Sequence, residues 1–252
     1  MSGNHHLYVP GESPLHRLAP QCKLAATVLF VLAIVATPRE AFGAFAAYAV
    51  ILVGLTFVGQ IPLTLVLRRL VIEIPFLAFA LLLPVVGQGE RVEVLGMSLS
   101  VAGLWAMWNI LVKGTLGVAA TVIMAGTTPV PALLHGLEHL RLPKVFVGIC
   151  AFMIRYADVV TGEMQRMRVA RASRGSDPRW LWQARATAAS AGTLFIRSYE
   201  RGERVYLAMT SRGYAGSMPL LEDHSAPAEQ WLVALCLPAV GALVAVSAWV
   251  LT

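Results

Sequence analysis

Charge is scarce in this chain: of its 252 residues 13% are Asp, Glu, Lys or Arg, and acidic side chains are the rarer kind, 14 against 20 Lys and Arg. A soluble globular domain carries about a quarter of its residues charged, so that class is excluded. Cysteine is scarce too. Cys22, Cys150 and Cys236 stand far apart with no Cys-x-x-Cys pair, which indicates neither a disulfide framework nor a thiolate metal cage, and each is expected as a buried small hydrophobe. A G-x-x-x-x-G-K-[ST] phosphate loop is missing, since none of Lys23, Lys113 and Lys144 has the required neighbours. The stretch from Met1 to Pro20 is polar and holds Pro10, Pro14 and Pro20, the wrong make-up for a signal-peptide core, so the first apolar run is expected to remain in the mature protein.

Apolar residues are what the chain has instead. They make up 57% of it, with a mean hydropathy of +0.68, the profile of an integral membrane protein. Five runs, near 22–38, 41–58, 70–87, 106–125 and 230–251, approach the roughly 20 apolar residues that a bilayer-spanning helix needs. Pro38-Arg39-Glu40 divides the first two into an antiparallel hairpin. Asn109 and Lys113 enter the fourth run, where the lysine is expected to snorkel to the interface, with a role for a transported ion as the alternative. Glu73, beside Pro75 in the third run, and Asp158 with Glu163 further on are read as partners in local ion pairs (Arg155 with Asp158, Arg166 or Arg168 with Glu163) rather than as a proton path.

Of the 20 Lys and Arg, 13 lie between Arg141 and Arg212, against five acidic residues there. By the positive-inside rule that stretch is cytoplasmic. Counting spans outward places the N-terminus and Arg68-Arg69 inside and the Glu90-Arg91-Glu93 turn outside. Val145 to Val160 is apolar enough for a sixth span but is interrupted by Arg155 and Asp158, and it is read as a helix that starts in the membrane and leaves it.

The expected organisation is therefore membrane helices over 1–126, a helical insert over 127–228 and a last span over 229–252. In the insert, Thr127-Thr128-Pro129 supplies an N-cap and a first-turn proline for a short helix that ends before Pro143. A long helix follows, with Ile149, Phe152, Tyr156, Val160, Met164 and Met167 on one face. After a break at Ser176-Asp177-Pro178 and the packing or interfacial Trp180 and Trp182, a second long helix repeats Ala184, Ala188, Ala191, Phe195, Ser198, Gly202, Val205 and Met209 at steps of three and four. Such small residues predict a close crossing of the two helices. Both helices end in the same triplet, Ser173-Arg174-Gly175 and Ser211-Arg212-Gly213. Each is at least a capped helix end with a cation on the dipole. Two copies in equivalent places suggest more, because an arginine fork beside an unencumbered glycine can enter an acidic cleft of another protein. His135 and His139, at i and i+4, lack a third ligand and the His-Glu-x-x-His order, so a solvated helix face is the expected reading.

These features, from Thr127-Thr128-Pro129 through Arg141-Leu142-Pro143 to Arg171-Ala172-Ser173-Arg174-Gly175, and again over Arg197-Ser198-Tyr199-Glu200-Arg201-Gly202-Glu203-Arg204 and Ser211-Arg212-Gly213-Tyr214, resemble the transmembrane T component of energy-coupling factor transporters. Ser13-Pro14-Leu15-His16-Arg17-Leu18 with Lys23-Leu24 resembles its cobalt/nickel, CbiQ-like branch. The resemblance implies an all-α membrane protein of about five spans with two long crossed coupling helices, in the bacterial cytoplasmic membrane. It implies two ABC ATPase subunits as partners, docked on Arg174 and Arg212, with Gly175 and Gly213 as caps and Ser173 and Ser211 as close-packing contacts where the family more often has alanine. It further implies a separate membrane subunit that binds cobalt, or alternatively nickel or a vitamin. Neither nucleic acid nor a cofactor of its own is expected on this chain, and ATP with its magnesium belongs to the partner. A self-sufficient secondary transporter would show inverted repeats and paired broken spans. A membrane enzyme would show a catalytic constellation. The sequence has neither.

Overall fold

The computed structural model describes residues 8–87, 90–94, 97–175, 184–216 and 226–251, and nearly all of them are helical. Backbone N–H and C=O groups in hydrocarbon have no water to bond, so a chain this apolar satisfies them within helices. In order these are α1 (Pro14–Arg17), α2 (Pro20–Ala36), α3 (Phe42–Val58), α4 (Leu63–Leu70), α5 (Ile74–Val86), α6 (Val101–Thr127), α7 (Val130–His139), α8 (Lys144–Ser173), α9 (Ala184–Thr210) and α10 (Ala228–Leu251). The described residues fall into two compact units, one holding α1 to α7 with α10, the other α8 and α9. The predicted break at 176–178, with Trp180 and Trp182, lies outside the described residues.

Among the described residues, four helical stretches are long and apolar enough to cross a bilayer: α4 with α5 (Leu63–Val86), α6, α8 and α10 (to Val250). Helices α2 and α3 have 17 residues each, the lower limit for a span. The chain is a multi-pass membrane protein. Its third span begins earlier than the expected position 70, at Leu63, and passes through a single 3-10 turn at Val71–Glu73. Helix α8, expected to leave the membrane, carries the hydropathy of a span nonetheless.

The first unit is organised around α2, whose Phe30 and Ile34 are fully buried. Phe30 meets Tyr48 of α3 edge to face, with ring centroids 5.6 Å apart. On its other side Phe30 presses on Gly241 of α10, where a Cβ would stand 2.8 Å from the ring. Any larger residue there would separate the two helices. The Tyr48 hydroxyl, fully buried, donates to the Gly241 carbonyl at 3.0 Å and lies 3.0 Å from Thr37 Oγ1. One phenol thus ties α3 to the end of α2 and to α10.

Helix α2 stops where its last carbonyls need partners, and neighbouring helices provide them. Lys113 Nζ of α6 donates to the Val35 carbonyl at 2.7 Å, and Trp249 Nε1 of α10 donates to that of Ala36 at 3.0 Å. Lys113 thereby caps a helix C-terminus, where a cation also meets the negative end of the dipole. Glu73 is half-buried with its carboxylate against Gly114 of α6.

Two elements were not foreseen. The Glu90 to Glu93 turn is part of a ribbon: β1 (Arg91–Val94) pairs antiparallel with β2 (Met97–Ser100), Arg91 opposite Ser100. Val92, Val94, Met97 and Leu99 alternate with polar residues, the period-two signal of strands. Ser100 then caps α6, its Oγ accepting from Gly103 N–H. Cysteine burial is also uneven: Cys22 is buried, whereas Cys150 and Cys236 are exposed on the isolated chain, so two of the three are not the core residues expected of them.

If Lys113 is a cap, Lys113→Met should leave the Val35 carbonyl unsatisfied in an apolar setting and destabilise the protein by about 2 kcal/mol. Thermal unfolding in detergent should show the loss, with a smaller one for Trp249→Phe; unchanged midpoints for both would contradict the capping assignment.

Candidate functional site

Within the second unit, the side of α8 turned toward α9 carries Phe152, Tyr156, Val160, Glu163 and Met167, all half-buried. Four of the six predicted face residues are among them; Ile149 and Met164 are exposed. On α9 the matching line is Leu194, which is buried, with Ser190, Ser198, Arg201, Val205 and Met209, which are half-buried. The predicted small-residue seam is therefore displaced. Leu194 is buried while Phe195 is 72% exposed, and a Cβ at Gly192 or Gly202 would meet nothing within 4 Å. No close backbone crossing occurs at these glycines. Both glycines lie off the side of α9 that meets α8, which runs through Leu194, Ser198 and Arg201.

Glu163 Oε1 accepts from Arg197 Nη1 at 2.7 Å and Oε2 from Arg201 Nη2 at 3.1 Å, while Arg166 lies 3.9 Å from Oε2. The carboxylate is 13% exposed, and each oxygen takes a charge-assisted bond from a different arginine, the strong class of hydrogen bond. Sequence spacing predicted a pair within α8 through Arg166 or Arg168. The structure makes the principal pair between helices, because Arg197 and Arg201 are one turn apart and both reach the same point. About two turns further along α8, Arg171 Nη1 donates to Thr187 Oγ1 at 3.2 Å. Rising numbers on α8 thus meet falling numbers on α9, and the helices run antiparallel. Glu200 and Arg204 form an i, i+4 pair at 4.0 Å.

Both triplets lie at helix ends as predicted. Gly175 and Gly213 have φ of 74° and 84°, the left-handed region that closes a helix at low cost only with glycine. At the second end Tyr214 N–H bonds the Met209 carbonyl and Gly213 N–H that of Thr210, both at 3.0 Å, which is the two-bond Schellman closure. At the first, Gly175 N–H bonds the Ala172 carbonyl at 3.0 Å. Ser173 Oγ donates to the Val169 carbonyl and Ser211 Oγ to that of Ala208, each at 3.0 Å. Each serine satisfies its hydroxyl on its own helix and presents little more than an alanine would. Arg174 and Arg212 are exposed, and among the described residues neither has an ion-pair partner.

The clamp and the tips have one geometric relation. Arg174 is eleven residues beyond Glu163 on α8, and Arg212 eleven beyond Arg201 on α9. At about 1.5 Å per residue each guanidinium stands roughly 16 Å from the clamp, and because the helices are antiparallel the two lie at opposite ends. The outward side of α9 exposes Phe195, Ile196, Tyr199, Tyr206 and Leu207, more apolar surface than scattered residues make.

Other sequence candidates are not brought together. His135 and His139 lie exposed on α7, which packs by Gly136 against the start of α2. Among the described residues no three His, Cys, Asp or Glu side chains converge as a metal site would need. Sequence reasoning missed the clamp; the signal was present in two arginines four apart facing a lone carboxylate.

A family model described as cobalt transport protein, CbiQ, matches residues 11–221. The chain is 26% identical over 220 residues to a fused cobalt transport protein CbiMQ of Methanocorpusculum labreanum, covering 84% of this chain and 37% of that one. It is 26% and 28% identical to the energy-coupling factor transporter transmembrane proteins EcfT of Thermosediminibacter oceani and Thermanaerovibrio acidaminovorans, over 83% and 84% of this chain and 83% and 82% of theirs. An uncharacterized protein of Methanocaldococcus jannaschii is 30% identical over 70% of this chain and 64% of its own length. The chain thus spans little more than a third of the fused relative and just under two thirds of the uncharacterized one. A match across most of the chain, on helices that carry both arginine tips, places it in the CbiQ cobalt transport family as a transmembrane T component of the energy-coupling factor type.

Proposed function

We propose that this chain is the coupling subunit of an ATP-driven importer of cobalt ions, carrying motion from two ABC ATPase subunits to a separate substrate-binding membrane subunit. The observation that carries the reading is the pair of exposed arginines, without an ion-pair partner among the described residues, held at opposite ends of one clamped antiparallel helix pair. Two equivalent basic tips, equidistant from the clamp, suit two equivalent acidic grooves on a dimeric ATPase. A helix pair locked at Glu163 moves as a lever, so displacement of one tip is felt at the other. The apolar side of α9 is the surface on which a membrane partner would rest, and the fused CbiMQ relative supports such a partner in the same assembly. Cobalt as the cargo is supported by the family description.

In this reading the chain holds no cofactor and performs no catalysis. ATP and magnesium sit on the ATPases, and the metal is bound by the substrate subunit. Arg174 and Arg212 are the docking residues, Gly175 and Gly213 shape the tips, and Ser173 and Ser211 keep the approach small. The excess of Lys and Arg between Arg141 and Arg212 supports an orientation with both arginine tips on the cytoplasmic side, where the ATPases would be.

The double substitution Arg174→Glu with Arg212→Glu should abolish co-purification of ATPase subunits while the chain remains in the membrane, since a carboxylate facing an acidic groove repels it. Retention of a full ATPase complement would refute the docking role. Glu163→Gln tests the lever separately: ATPases should still bind, but uptake of radioactive cobalt per bound ATPase should fall several-fold. Unaltered uptake would remove the clamp from the mechanism.

A further inference from the structure

The first unit contains a cavity of about 500 Å³ between α2, α3, α6 and α10, within the range of small-molecule sites. Its charged lining is gathered at one end: Arg17 ends α1 and Lys23 lies in the first turns of α2, near Thr127 at the end of α6. Beyond them the wall is apolar apart from the Thr27 hydroxyl, reaching Phe30 and Leu237. Phe30 is seven residues past Lys23, a depth of roughly 10 Å. Val58 and Val233 also line the cavity and are 51% and 61% exposed, so it opens sideways onto the surface that lipid covers.

Lys23 is 6% exposed. Its ammonium donates to the Thr127 carbonyl at 3.1 Å, which uses one of three protons. Among the described residues no carboxylate pairs with it, and a buried cation without a counter-charge is costly. Arg17 has Glu12 3.9 Å away, with both side chains largely exposed, a pairing of little strength. Two cations over an apolar slot that opens to the bilayer match an amphiphile with an anionic head. A neutral apolar guest would leave the ammonium uncompensated, and a free anion would leave the apolar wall empty.

We propose that this cavity is a binding site for an anionic phospholipid, its phosphate on Lys23 and Arg17 and part of one acyl chain along Phe30 and Leu237. The occupant neutralises the buried ammonium and fastens α1 to the bundle. The site is separate from the arginine tips and does not depend on their function.

The test compares purified wild-type protein with two variants in detergent, by native mass spectrometry and thermal unfolding, with phosphatidylglycerol, phosphatidylcholine or glycerol phosphate added. Phosphatidylglycerol should remain bound at one molecule per chain and raise the midpoint by roughly 5 °C, while the other two do neither. Arg17→Gln with Lys23→Gln should abolish that shift. Thr27→Trp, which fills the apolar wall and keeps both cations, should abolish it too, while Lys23→Arg should retain it. Arg17→Gln alone, at an exposed position, should reduce the shift even if the double variant proves unstable. An equal shift with phosphatidylcholine would overturn the proposal, as would one with glycerol phosphate, which would mean a head-group anion site only. A phosphatidylglycerol shift that survives the cation and Thr27→Trp variants, or a lipid-free chain that dimerises through this face, would overturn it as well.

Discussion

In a bilayer a backbone carbonyl that a helix leaves unpaired has no water to turn to, and much of the first unit is arranged around that constraint. Helix α2 is too short to carry its last carbonyls far beyond the hydrocarbon. The ends are closed instead by Lys113 and Trp249, reaching from two different helices. Each reach fixes a neighbour: the lysine sets the register of α6 against α2, and the indole that of α10. The Tyr48 hydroxyl repeats the device on the Gly241 carbonyl. Hydrophobic burial contributes little to bringing helices together when lipid is as apolar as the interface, so close packing at Gly241 and these polar bonds carry the specificity.

The second unit solves another problem, with charge where the first uses carbonyl capping. Glu163 joins the two helices by accepting from two arginines of the opposite helix, and both arginine tips are exposed. The side of α9 that meets α8 runs through Leu194, Ser198 and Arg201, so Gly192 and Gly202 face open space. The serine in each tip triplet finds a similar explanation in its hydroxyl, which is turned back onto its own helix.

Much of the candidate site was legible in the sequence. Arginine followed by glycine at the close of a long periodic helix is a local signal, and its physics, the left-handed cap and the dipole, operates within a few residues. Both tips accordingly stand where they were expected. The partner of Glu163 was not legible, because three arginines on its own helix and several on the next were equally available by spacing. The capping role of Lys113 was hidden for the same reason: a lysine in an apolar run does not reveal that a carbonyl 78 residues away lies beside it. The β1–β2 ribbon was locally encoded, in a short alternation overshadowed by its charged residues.

The amino-acid sequence by itself determined the solvent, the helical class and the chemistry at the helix ends, since hydropathy, periodicity and capping are properties of residues and their near neighbours. Tertiary structure decided which polar group meets which: Lys113 on α2, Glu163 on α9, and Lys23 buried at the mouth of an apolar slot. Those choices depend on where separate helices come to lie, and pairing a long flexible cation with one of many acceptors is a matter of distance in space that spacing along the chain does not encode.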